Sequence, residues 1–151
     1  MQLEWSDYAA VGPASVEEVR KAESLLGFAF PPDMVELLIE HQGQVPEPRY
    51  LSLFDPRHKT AFGPIMHVNA QKGGADYIPN AVNNLRLGGY PAGLVPFSSD
   101  GSQVHFALDY RERRTAPTIV YAVLELGYEH PNAFRKVAPT VTSLLAQLEP
   151  E

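Results

Sequence analysis

Leu94-Val95-Pro96-Phe97, the turn-rich Ser98-Ser99-Asp100-Gly101 and the run from Gln103 to Tyr110 decide the fold class. The last of these alternates strictly. Val104, Phe106, Leu108 and Tyr110 share one face, and Gln103, His105, Ala107 and Asp109 share the other. Such alternation predicts a strand with one buried and one solvent-leaning face, and Ser-Ser-Asp-Gly is turn chemistry. Residues 94–110 therefore read as an antiparallel hairpin. After the charged run Arg111-Glu112-Arg113-Arg114, Thr118 to Leu124 is apolar on both faces and predicts a covered, central strand.

Helices flank this sheet on both sides in sequence. Ser15 and Glu18 form a capping box, in which each side chain satisfies a free amide of the first turn. Val16, Val19, Ala22, Leu25 and Leu26 recur at helical spacing, and Gly27 supplies the stop, so a helix is expected over 15–26. Pro31-Pro32 opens a second helix over 32–42, with Asp33 in its first turn, Val35, Leu38 and Ile39 as the buried stripe, and Gln42-Gly43 as its end. Gln44 to Arg49 reads as a proline-bearing loop, Tyr50 to Phe54 as a strand, and residues 60–68 as a weaker strand. Residues 69–93 are broken by glycine and proline, and Asn80 to Leu87 has room for one or two helical turns. Pro139 opens a last helix with Val141, Leu144, Leu145 and Leu148 at helical spacing. The expected fold is α+β: two N-terminal helices and a C-terminal helix packed on a mostly antiparallel sheet, in a single domain over 1–151.

Composition agrees with short elements and many turns. The chain has 151 residues with 14 prolines and 11 glycines, and proline is costly inside helices and central strands. There is no cysteine, which excludes disulfide scaffolds, thiolate zinc sites and cysteine nucleophiles. The start lacks the basic and apolar regions of a signal peptide, and the longest apolar run, Ile119 to Leu124, is far shorter than the ~20 residues of a membrane span. The expectation is a cytoplasmic protein with no membrane contact.

Net charge is −6, and it is unevenly placed. Residues 1–47 carry nine acids against Arg20 and Lys21, whereas residues 48–151 carry nine acids against ten bases. Phosphate binding needs a basic stripe, so a direct nucleic-acid partner is not expected. An acidic N-terminal third suits a basic protein partner. Glu36 and Glu40 are like charges at i, i+4, and Glu40 opposes the helix dipole, a local cost without a local return. These two acids, with Asp55, Asp76 and Asp100, are the candidate partner contacts.

Catalytic signals are thin. A G-x-S-x-G elbow, a Rossmann fingerprint and a P-loop are all missing, and no cofactor is expected. The five histidines lack metal-ligand spacing. His105 and Asp109 share a strand face but stand about 13 Å apart at ~3.3 Å per residue. Asp100 and Asp109, on opposite limbs of the hairpin, are the pair through which acid–base work would run in the alternative of a small hydrolase or ligand-binding enzyme, which would also use His105. The plainer reading makes Asp100 a turn residue and Asp109 a strand end beside Arg111. The arginine run likewise reads as a solvated loop.

One ordered set of residues resembles a family. Leu25-Leu26-Gly27 is followed by Phe30-Pro31-Pro32-Asp33 and His41-Gln42-Gly43. Then come Leu94 to Gly101, Phe106-Ala107-Leu108-Asp109-Tyr110-Arg111, Pro117 to Tyr121, and Val137-Ala138-Pro139 before an apolar helix. Over residues 14–149 this resembles the SUKH superfamily, which includes yeast cell-wall assembly regulators of the Smi/Knr type. Gln103 and Val141 depart from its pattern. The resemblance implies an α+β domain without catalysis. In bacteria it implies an immunity protein that binds and neutralises a cognate toxin; the alternative on the same fold is an intracellular regulatory scaffold. The family's toxin contacts vary, so it supplies no binding residue. The charge argument adds that the toxin is basic, and a nuclease meets that condition directly.

Overall fold

The computed structural model describes residues 2–99 and 104–151. Its central feature is a four-stranded antiparallel meander of β5 (Leu94–Ser99), β6 (Val104–Asp109), β7 (Thr118–Ala122) and β8 (Phe134–Ala138), in that spatial order. Phe106 lies opposite Tyr121 and Leu108 opposite Ile119, so β6 and β7 are the inner strands. Two ribbons flank this sheet. β1 (Glu4–Asp7) pairs with β2 (Gln44–Glu47), and β3 (Tyr50–Asp55) turns back into β4 (His58–Ala61).

Four α-helices are present among the described residues: α1 (Val16–Leu26), α2 (Pro32–His41), α3 (Ile78–Leu87) and α4 (Val141–Leu145). The α+β class stands, but two N-terminal helices and one C-terminal helix undercount it. Pro79 lies in the first turn of α3, where its missing N–H costs no helical bond, and Ile78, Ala81 and Val82 are buried. The last helix is shorter than its apolar spacing suggests. Thr140, not Pro139, caps α4, and the chain then tightens into a turn that still buries Leu148. Glu149 exchanges backbone hydrogen bonds with Tyr50, so the tail serves as a partner for β3.

The capping box of α1 forms as expected: Ser15 Oγ accepts from the Glu18 amide and the Glu18 carboxylate from the Ser15 amide. Gly27 ends the helix at φ 79°, a conformation glycine adopts without steric cost. The buried stripe is narrower than the spacing predicts. Val19, Ala22 and Leu26 are buried, while Val16 and Leu25 face solvent. On α2 the buried positions are Met34, Leu37 and Leu38, with Val35 and Ile39 half-buried at the margin.

The main core lies between the helices and one face of the sheet. It joins Val19 and Leu26 of α1 and Leu38 of α2 to Phe97, Phe106, Leu108 and Ile119 of the strands. The opposite face is not the solvent-leaning surface predicted from the alternation. Ala107 is only 1% exposed, because Tyr90 and the segment leading into β8 fold over it, with Leu94, Val120, Ala122 and Phe134 forming a second small cluster. Val120 is buried in a central strand, as expected.

Ser98 and Ser99 are not turn residues. They are buried within β5, and the Ser98 hydroxyl accepts the Gly63 N–H at 2.9 Å. The expected strand over 60–68 splits into β4 and a stretch that seals the outer edge of β5: Met66 N–H donates to Phe97 O at 2.9 Å and Ser99 N–H to Pro64 O at 3.2 Å. Residues 44–47, expected as loop, pair with β1; a two-stranded ribbon tolerates Pro46 because its missing donor falls on an edge. Gln42 ties these pieces together, donating to Gly12 O at 2.9 Å and accepting from the Val68 amide at 3.0 Å. No described helix is long and apolar enough to cross a membrane.

His67 holds the least legible segment. Only 3% exposed, it accepts the Asn69 amide on Nδ1 at 3.1 Å and stacks on Tyr77. Burial pushes its pKa below the ordinary value of 6.5, the charge of Asp76 and a hydrogen bond to the Gly73 backbone opposing only in part. The unfolded chain therefore binds this proton more readily than the folded one. The stabilisation is complete above about pH 6.5 and is lost as pH falls toward the folded-state value. Urea midpoints are expected to drop between roughly pH 7.5 and pH 5. His67→Gln is expected to flatten that drop, and an unchanged drop in the variant would contradict it.

Candidate functional site

A cleft of about 480 Å³ opens between β1, α2 and α4. Leu3, Trp5, Leu37, Val141 and Leu145 give it an apolar lining, and Asp33, Glu36 and Glu40 give it an acidic rim. The helical repeat produces the rim: residues 33, 36 and 40 fall on one side of α2, while Met34 and Leu38 face the core. Glu36 and Glu40 are both exposed.

The three acids differ in what they do. Asp33 Oδ2 accepts from the Thr142 amide at 2.9 Å and from its hydroxyl at 3.0 Å, fastening the first turn of α4 to α2. Glu40 approaches His41, with Oε2 3.7 Å from Nε2. The His41 ring stacks flat on Trp5, 4.0 Å between centroids, and its Nδ1 is 2.8 Å from Gln44 Oε1. Gln44 turns its NH₂ to Asp7 at 2.9 Å, so its oxygen is left to accept and His41 Nδ1 donates. Glu40 thus has a neighbour that offsets its charge when protonated. Among the described residues no ion pair involves Glu36.

The other sequence candidates do not join this cleft. Asp55 ends β3, where the Arg57 guanidinium and amide hold its carboxyl below the usual range. Asp76 precedes α3, and its carbonyl accepts the His67 amide at 2.9 Å. Asp100 lies outside the described residues. Trp5, His41 and Leu145 are site residues that sequence reasoning missed. The signal available was the single tryptophan of the chain, alternating with Leu3 in a short N-terminal run.

The acid–base alternative finds little support. Asp109 is in register with Leu94, at the end of β5 away from Ser99. Its carboxylate takes the Arg111 amide at 2.9 Å and two guanidinium nitrogens at 3.0 Å each. His105 packs edge-on against Tyr121. A larger cleft of about 580 Å³ reaches Asp33 and Asp109, but both carboxylates are held, by Thr142 and by Arg111. The arginine run is partly anchored rather than solvated throughout. Arg114 donates to Gly27 O at 3.1 Å and covers the Phe28 ring, neutralising the end of α1. Among the described residues no group of three or more histidines and carboxylates is placed to hold a metal ion. Asp109→Asn is expected to lower stability by about 1 kcal/mol, the scale of a partly exposed bidentate pair. A turnover lost without any change in melting temperature would contradict this structural role.

A model of the SMI1 / KNR4 family (SUKH-1) matches residues 13–147. The chain belongs to this family. No curated protein and no solved structure was found to match it. The SUKH-1 match runs from before α1 through α4, so two walls of the cleft belong to the family domain. The third wall, β1 with Trp5, precedes the matched span.

Proposed function

We propose that this SUKH-1 protein is an immunity protein: it binds a cognate toxin domain one to one in the cytoplasm and neutralises it by covering its working surface, without catalysis of its own. Family membership is consistent with such a role. The observation that carries the reading is the α2 face, where exposed Glu36 and Glu40 flank an open apolar cleft. Charged rims speed encounter and select partners of opposite sign, while apolar surface supplies affinity once the complex forms. The partner this face fits is a basic protein. A nuclease toxin is the direct case, because a surface that holds phosphates is itself basic.

Co-expression with candidate toxin domains taken from genes neighbouring its own tests the reading. The expected result is a stable one-to-one complex and rescue of growth. Free toxin and undiminished toxicity, with the chain captured instead by an endogenous protein, would replace immunity with the scaffold role.

A further inference from the structure

We infer that the cleft between β1, α2 and α4 seats a short basic segment of the partner, with an apolar side chain on the floor and lysine or arginine side chains against Glu36 and Glu40. This rests on the protein-binding reading above and names the chemistry of what is bound.

Three observations support it. The cleft is open, and its volume, about 480 Å³, lies within the roughly 300–1,000 Å³ of pockets that take a ligand. The floor is apolar and incompletely covered: Leu3, Trp5 and Leu145 are half-buried, packed against the core on one side and open on the other. The rim is acidic, with Asp33 already committed to Thr142 and Glu36 unpaired among the described residues. An anionic occupant, whether phosphate backbone or acidic lipid surface, would meet repulsion at this rim. A neutral apolar segment would leave the rim carboxylates desolvated without partners, a net cost. A basic amphipathic segment satisfies both surfaces together.

The wall formed by Trp5 makes the test direct. As the sole tryptophan, it reports on the cleft alone. Two synthetic twelve-residue peptides without tryptophan, sharing leucines at the same positions but carrying lysine in one and glutamate in the other, are titrated into the intact protein. The lysine peptide is expected to shift Trp5 emission saturably and the glutamate peptide to leave it unchanged. Glu36→Gln/Glu40→Gln, with its thermal melt checked against the wild type, is expected to bind the lysine peptide at least tenfold more weakly. No shift with the lysine peptide, or equal affinity in the folded double variant, would overturn the inference. A shift on raising the protein concentration alone would also overturn it, by placing a second copy of the chain in the cleft. If the cleft ignores the peptide while the toxin domain is still retained on the wild-type protein, this inference fails and the immunity reading stands.

Discussion

Phe62→Ala is expected to destabilise the fold by about 3–5 kcal/mol, the range for removing a fully buried aromatic side chain. Phe62 has no exposed surface, and its ring packs edge-on to Phe106 at 5.1 Å and tilted to Phe97 at 6.2 Å. It follows β4 directly, so it is the hinge by which the β3–β4 ribbon is pinned to the main sheet. Alanine would leave a cavity bounded by two other rings and remove one of the contacts that join the two sheets, leaving Phe54 on Tyr121 as another. At roughly 2–4 °C per kcal/mol for a chain of this size, the melting temperature is expected to fall by about 6–20 °C. Urea denaturation of the variant measures this. A loss below about 1 kcal/mol would mean that the two sheets are not held by this cluster.

Much of the fold is legible from local rules. Ser15 with Glu18, Gly27, Pro31-Pro32 and the alternation from Phe106 to Tyr110 each impose a local structure strongly enough to survive tertiary context. What escaped the sequence depends on distant partners. Gln44–Glu47 is a strand only because Glu4–Asp7 lies beside it. Ser98 and Ser99, good turn residues by type, are drawn into β5 because residues 63–66 complete its edge. Helix α3 is legible only in part, as room for one or two turns over Asn80 to Leu87, because its spacing, Ile78, Ala81, Val82, begins before Pro79, and proline suggests a break unless it falls in a first turn.

The site was legible in part. The frustrated pair Glu36 and Glu40 could be found from spacing and dipole alone, and both line the cleft. Asp55 and Asp76 share only their charge with that pair; Arg57 engages the first, and the second precedes α3 away from the cleft lining. Trp5 and Leu145 were out of reach because an apolar lining is assembled from β1, α2 and α4, elements far apart in sequence.

Reversing the acidic charge of α2 with Glu36→Lys/Glu40→Lys is expected to slow association with the partner. Both side chains are exposed, and lysine at position 40 suits the helix C-terminus better than glutamate does, so the variant is expected to keep its fold and stability. Reversing both charges turns attraction toward a basic partner into repulsion at the rim. Stopped-flow association with the toxin domain, followed across ionic strength, is the direct measurement. The double variant is expected to associate at least tenfold more slowly than the wild type at low salt. The two rates are expected to converge near 1 M salt, where screening acts over about 3 Å. Equal association rates at low salt, in a variant with an unchanged melt, would contradict this role of the α2 charge.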